Sequence, residues 1–331
     1  MTWTLPGWQA VPALPTWTLP DRPHPARAYD GLATPPSGCL RDAAARGAAP
    51  SGIAGTLWVA PYARDRQHPS LSLDWASLAA QTLSRLVHAA APPPPPPRAA
   101  AAVDPTAFDE RICLDVDATP DGVWPFVSMS RAAADPAADG VPRLIPAIEI
   151  EAHLCAPLAA AAPEAAGRTA AAKDGIPVVP EDDKAAMAWR SALLSRVVFA
   201  LNYYLAYDDA VFDRLVGAGY RALCSSALAR LHARHRRSAL RAALWARRPV
   251  IIEDAVLRDA GDMLTALAKR LERTPFLGHA DAAGPVDALC FAVLFVLLRG
   301  LPDAHPLRAH AERHPVLERY VERMLAHIAL L

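Results

Sequence analysis

The sequence predicts two domains of different class, an α+β domain followed by an all-α domain. Three observations carry that expectation. Apolar residues before position 155 recur with both strand-like and helix-like spacing, and after 183 they recur with helical spacing throughout. An Ala/Pro/Gly-rich stretch, 156–182, separates the two regions and ends in Glu181-Asp182-Asp183, a linker followed by a helix start.

Composition narrows the function classes. Lys plus Arg and Asp plus Glu both total 34, so the formal charge is zero. A bulk nucleic-acid binder needs a basic excess to displace counterions from phosphates, so no nucleic-acid partner is expected. Hydrophobic residues make up 53% of the chain, enough for a sizeable core. The five cysteines include no short CxxC pair, which fits a reducing compartment better than a disulfide scaffold. Only Lys173, Lys184 and Lys269 are lysines, and an arginine skew in so Ala- and Pro-rich a chain reads as genome composition. The longest apolar run, 288–298, has 11 residues, whereas a membrane-spanning helix needs about 20. The N-terminus carries Trp3, Trp8 and Trp17 among prolines without the charged-then-apolar order of a signal peptide. A soluble or peripheral protein is expected.

Residues 1–52 show no sustained period and read as an irregular extension. Residues 53–155 form the first domain. Its opening run, 56–61, is apolar and stopped by Pro61, hence a buried strand. Residues 74–87 place Trp75, Leu78, Ala79, Leu83, Leu86 and Val87 on one helical face, with Ser72 or Asp74 as cap. A proline-rich insertion, 90–105, contains the six-proline run 92–97, a polyproline II spacer. Ile112, Leu114 and Val116 alternate with polar neighbours and predict a half-buried strand over 111–117. Residues 123–128 and 143–145 predict further short strands, and 149–154 a helix.

The second domain, 183–331, opens on a long amphipathic helix that runs from Met187 through Trp189, Leu193, Val197 and Leu201 to Leu205. Residues 254–271 repeat the pattern. Residues 287–298 are apolar nearly all round, so they predict a central, fully buried helix. Residues 307–311 and 316–330 complete the bundle.

The residues from Phe276 to Leu289 resemble the start of the central helix of the glutathione-transferase fold, a thioredoxin-like domain followed by a helical one. Gly284 holds the cap position, Pro285 the first helical position, and Asp287 the third, where its carboxylate can accept backbone N–H groups. Five further phrases in order resemble the metaxin family of the mitochondrial sorting and assembly machinery. They are Leu57-Trp58-Val59-Ala60-Pro61, Pro69-Ser70-Leu71-Ser72-Leu73, Thr119-Pro120-Asp121-Gly122 through Pro125-Phe126-Val127, Trp189-Arg190-Ser191-Ala192-Leu193-Leu194, and His314-Pro315-Val316-Leu317 with Tyr320. The resemblance runs from about residue 53 to the end. It implies a cis peptide at Pro125 and an accessory subunit that docks on a BamA-like β-barrel insertase beside a second metaxin-like subunit. Precursor β-barrel proteins would be its clients, on the cytosolic face of the mitochondrial outer membrane. The chain closes on Ile328-Ala329-Leu330-Leu331 without the hydrophobic anchor of one branch, which points to the anchorless branch.

Resemblance also bears on catalysis. A glutathione transferase activates the thiol with a Tyr, Ser or Cys after its first strand, and anchors the γ-glutamyl group with a Gln/Glu-Ser pair. In the matching stretch, Leu144 to Leu154, Pro146-Ala147 replaces that pair, removing an acceptor, a hydroxyl and a backbone donor. Tyr62, Ser70 and Ser72 stand where an activating hydroxyl would be, and read as cap and loop residues. No catalytic residue, cofactor or metal is therefore expected. The alternatives are a soluble glutathione-dependent transferase with a degenerate site, or a cytosolic scaffold of the same fold.

Other residues add little chemistry. Cys113 and Cys290 lie in apolar segments, and Cys39, Cys155 and Cys224 have no partner near in sequence. His153, His279, His305, His310 and His314 form no evident ligand set, since Pro315 breaks the helix beside the 310/314 pair. Between Asp213 and Glu253 there is no acidic residue, while Arg230, Arg234, Arg236, Arg237, Arg241, Arg247 and Arg248 all occur. That block reads either as a solvated face or as a contact surface for anionic headgroups or an acidic partner.

Overall fold

The apolar run that Pro61 terminates forms β1 (Ile53–Val59), the strand from which the rest of the sheet is built. The computed structural model describes residues 53–60, 62, 63, 65, 67, 71–90, 104–112, 125–129, 144–145, 149–150, 153–155, 184–223, 226–277 and 283–329. The expected N-terminal extension, the six-proline run and the 156–182 linker lie outside them. After β1 come α1 (Trp75–Ala90), β2 (Asp104–Ile112), β3 (Phe126–Met129) and β4 (Leu144–Ile145). The sheet order is β2-β1-β3-β4, with β1 parallel to β2 and antiparallel to β3, and β3 antiparallel to β4. Leu57 pairs with Val127, which pairs with Ile145, and all three side chains are buried. Pro125, also buried, leads directly into β3.

One strand differs from expectation. β2 lies upstream of 111–117, sharing only Arg111 and Ile112 with that range, and Leu114 and Val116 fall outside the described residues. β2 is an edge strand, and an edge tolerates Pro105 and the charges Asp104, Asp109 and Glu110 that obscure a strand pattern.

The helical part begins with α2 (Lys184–Ala192), a π-helical turn (Leu193–Val197) and α3 (Val198–Tyr207), one path where an unbroken helix was expected. Next come α4 (Asp209–Phe212), a second π-helical turn (Asp213–Gly217), α5 (Ala218–Leu223) and α6 (Ser226–Arg247). α7 (Glu253–Leu271) and α8 (Pro285–Phe295) precede a third π-helical turn (Val296–Gly300), then α9 (Pro306–Glu312) and α10 (Pro315–Ala329). Every residue of α8 is buried, as its all-round apolar sequence predicts. It packs against α1 of the sheet region and against α2 and α10 of the helical region, so one core spans both.

The start of α8 is built as its sequence requires. Asp287 accepts from Gly284 N at 3.0 Å, the carboxylate half of a capping box whose other half glycine cannot supply. The same carboxylate accepts from Leu277 N at 2.8 Å and from the Tyr320 hydroxyl at 3.0 Å. Asp287 is fully buried, so its role is to hold Leu277, Gly284 and α10 to the central helix.

Candidate functional site

The turn from β1 into α1 holds the residues that sequence reasoning placed nearest to chemistry. Its polar groups are engaged with one another. Ser77 Oγ donates to Asp74 Oδ2 at 2.6 Å and accepts from Ala60 N at 3.0 Å. Asp74 Oδ2 also accepts from Ser77 N at 2.9 Å, which caps α1. Ser72 Oγ accepts from Asp74 N at 3.1 Å, and Ser72 N donates to Gln81 Oε1 at 3.1 Å. Ser72, Asp74, Ser77 and Gln81 are all buried.

The helical region closes over this turn. Ala63 N donates to Leu215 O, in the second π-helical turn, at 2.7 Å. Gly300 lets Leu215 come close, since a Cβ there would lie 2.9 Å from Leu215 Cδ2. From α6, Arg236 Nε donates to the Tyr62 hydroxyl at 3.4 Å, with the guanidinium carbon 6.0 Å from the Tyr62 ring centroid. Tyr62 is only 4% exposed and Ser72 0%.

Electrostatics follow from that burial. Desolvation raises the Asp74 pKa, opposed by Arg236 and by the bonds from Ser77. Desolvation likewise raises Tyr62, again opposed by Arg236. Burial works against the charge on Arg236, yet Tyr62 and Asp74 together hold its pKa above the usual arginine value. A phenol with a raised pKa, facing a guanidinium in a covered seam, is suited to joining two regions.

The arginine block is divided by the fold. Arg236 faces the seam. Arg237 donates to Ala206 O at 2.8 Å, pairs with Asp209 and lies over Phe212. Arg241 donates to Ala206 O at 3.0 Å and lies over Tyr207. Arg248 pairs with Asp259 at 3.2 Å and lies over Phe199. Arg230, Arg234 and Arg247 are exposed.

Among the remaining expectations, Cys290 is buried in α8, where desolvation holds its thiol pKa well up, and Cys155 is half-buried. Ser70, Pro146, Ala147, Cys39, Cys113, Cys224 and His279 lie outside the described residues. His153 is half-buried. His305 caps α9, its Nδ1 accepting from Leu307 N at 3.2 Å. His310 and His314 line one cleft despite the helix break between them. Among the described residues no three His, Cys, Asp or Glu side chains converge as metal ligands, and no helix is long and apolar enough to cross a membrane.

Sequence reasoning missed the inward arginine. The signal was available: Ala229, Ala233, Arg236, Leu240 and Leu244 fall on one helical stripe, so Arg236 occupies a core-facing position.

Residues 260–324, spanning α8 and its neighbours, match the family described as glutathione S-transferase, C-terminal domain. Among curated proteins none matches. Solved structures similar to this chain include a glutathione transferase from Populus trichocarpa at 12% identity and a TM-score of 0.42, covering 83% of this chain and 97% of that one. A glutathione transferase family member from Pseudomonas fluorescens, solved with two glutathione molecules bound, aligns at 10% identity and a TM-score of 0.43, covering 88% of this chain and 97% of that one. A glutathione S-transferase from Xylella fastidiosa aligns at 13% identity and a TM-score of 0.36, covering 82% and 98%. With its matched family segment built around a buried central helix, the helical part of this chain is a glutathione-transferase-like C-terminal domain.

Proposed function

We propose that this chain is a non-enzymatic, metaxin-like accessory subunit, working by adhesion at the cytosolic face of the mitochondrial outer membrane in the assembly of β-barrel proteins. One observation carries the non-enzymatic part. Among the described residues of the turn after β1, where an activating hydroxyl would meet glutathione, Tyr62 and Ser72 are buried, and Leu215 and Arg236 bond to this turn from the helical side. A tripeptide that reached the Tyr62 hydroxyl would compete with its part-buried hydrogen bond from Arg236.

The metaxin part is supported by the ordered phrases between Leu57 and Tyr320 and by their places in the fold. Leu57-Trp58-Val59 lies in β1, Phe126-Val127 in β3, Trp189 to Leu194 at the α2 break, and Val316-Leu317 in α10. The β-α-β order followed by antiparallel β3 and β4 supports reading residues 53–155 as thioredoxin-like. The partners of this reading are a BamA-like β-barrel insertase, a second metaxin-like subunit and precursor β-barrel proteins. The test is affinity purification of the tagged chain from mitochondria. Co-recovery of the barrel insertase is the expected result, and its absence from an intact pull-down rejects the assignment.

A further inference from the structure

In the helical region, α7 and α9 border a cleft of about 320 Å³. α7 contributes Arg258, Asp262 and Thr265, which share one helical face with Gly261 at its floor. Opposite stand His310 of α9, Arg313 at its C-terminal end and His314 just beyond. A Cβ at Gly261 would lie 3.0 Å from His310 Nδ1, so glycine is what lets the imidazole rest against α7.

The hydrogen bonds fix which groups still have protons to give. Arg313 can only donate, so the contact of its NH1 with His310 Nδ1 at 3.4 Å makes Nδ1 the acceptor and leaves the neutral ring's proton on Nε2. Burial, then Arg313 and His314, lower the His310 pKa, consistent with that neutral ring. Thr265 Oγ1 donates its single proton to Gly261 O at 2.9 Å, so its 3.2 Å contact with His314 Nε2 is a bond the imidazole donates. Arg221, Arg237, Arg248, Arg299 and Arg308 each pair with a carboxylate. Among the described residues neither Arg258 nor Arg313 pairs with a carboxylate, a condition shared with other arginines such as Arg214 and Arg319, and Asp262 lines the same cleft.

We propose that this cleft binds a small hydroxylated phosphate monoester. Two guanidiniums from opposite walls match phosphate oxygens as paired donors, and Asp262 supplies an acceptor for a neighbouring hydroxyl. A free metabolite and a lipid headgroup present the same chemistry. The site lies outside the seam at Tyr62 and does not depend on the function proposed above.

The test uses the full chain, with sn-glycerol 3-phosphate as one probe and phosphatidylcholine vesicles containing phosphatidylinositol 4-phosphate, whose monoester stands beside free hydroxyls, as the other, at matched ionic strength in chloride. Binding is read by the imidazole resonances of His310 and His314 and by calorimetry for the ester, and by co-sedimentation for vesicles. The exposed pair is changed together, Arg258→Gln with Arg313→Gln, and Asp262→Asn serves as a second variant. The expected result is saturable binding of the free ester that perturbs both imidazoles and weakens at least tenfold in the double variant, the loss of one charge-assisted bond or more. Vesicle binding alone, lost in the double variant, assigns the chemistry to a headgroup. No binding of either probe, or equal binding by the folded double variant, overturns the proposal.

Discussion

Arg236, on the helical side, reaches the hydroxyl of Tyr62, on the sheet side, with its Nε 3.4 Å from the phenol oxygen. The charge it brings is also the nearest counterweight to Asp74, whose buried carboxylate caps α1. Replacing Arg236 by Met keeps the stem and removes the charge. The variant should lose about 1–3 kcal/mol at neutral pH, measured by urea unfolding. The sign of its pH dependence is set by Asp74. That acid titrates above its ordinary value in the folded chain, so its contribution is fully present below that value and is lost as pH rises through the folded one. Without Arg236 the folded value climbs further, so the variant's deficit should be smaller at pH 5 than at pH 7.5. A deficit that grows on acidification contradicts the coupling.

Asp287 collects three buried donors, from Leu277, Gly284 and Tyr320. Asp287→Ala orphans the Leu277 and Gly284 N–H groups and leaves the Tyr320 hydroxyl only the residue's own backbone carbonyl, at 3.2 Å. It should cost about 2–4 kcal/mol, whereas Asp287→Asn, which keeps one acceptor oxygen, should cost about 1–3 kcal/mol. Tyr320→Phe removes one proton shared between the Asp287 carboxylate and its backbone carbonyl and should cost about 1 kcal/mol. Unfolding midpoints that rank the three variants otherwise would show that the start of α8 is held by something else.

His305 is 5% exposed, stands edge-on to Tyr204 with ring centroids 4.4 Å apart, and must stay neutral at Nδ1 to cap α9. Burial lowers its pKa below the usual 6.5, against the pull of Asp208 and Glu253. The unfolded chain therefore takes up this proton first, and the stability it contributes is present above about pH 6.5 and drains away as pH falls through the folded value. His305→Asn keeps an N-cap acceptor without the titration. Thermal melting at pH 7.5 and 5.5 should show a larger acid-induced loss in the native chain than in the variant. Equal losses would remove His305 from the account.

Legibility of the fold in the sequence tracks how each element makes its contacts. α8 is legible because it is buried on every side, and β1 because Pro61 ends an apolar run. β2 is obscured because an edge strand carries charges and a proline. The helices from 209 to 247 are harder still. α6 buries Ala229, Leu240 and Leu244, and the packing between them is done by arginines, with Arg237 laid over Phe212 and Arg241 over Tyr207. A guanidinium on a ring packs like an apolar group yet counts as charge in any periodicity. The block therefore reads as a surface, whereas four of its seven arginines tie the bundle together. The cleft at Gly261 was illegible for another reason. His310 and His314 gain meaning only beside Arg258 and Arg313, and folding alone brings α7 to them.

The central claim is that the turn after β1 is closed by Leu215 and Arg236 and no longer receives glutathione. Titration calorimetry of the full chain with reduced glutathione tests it most directly, with Tyr62→Phe run alongside. The account predicts no saturable heat at millimolar ligand for either protein. Saturable binding to the native chain that Tyr62→Phe abolishes would contradict it.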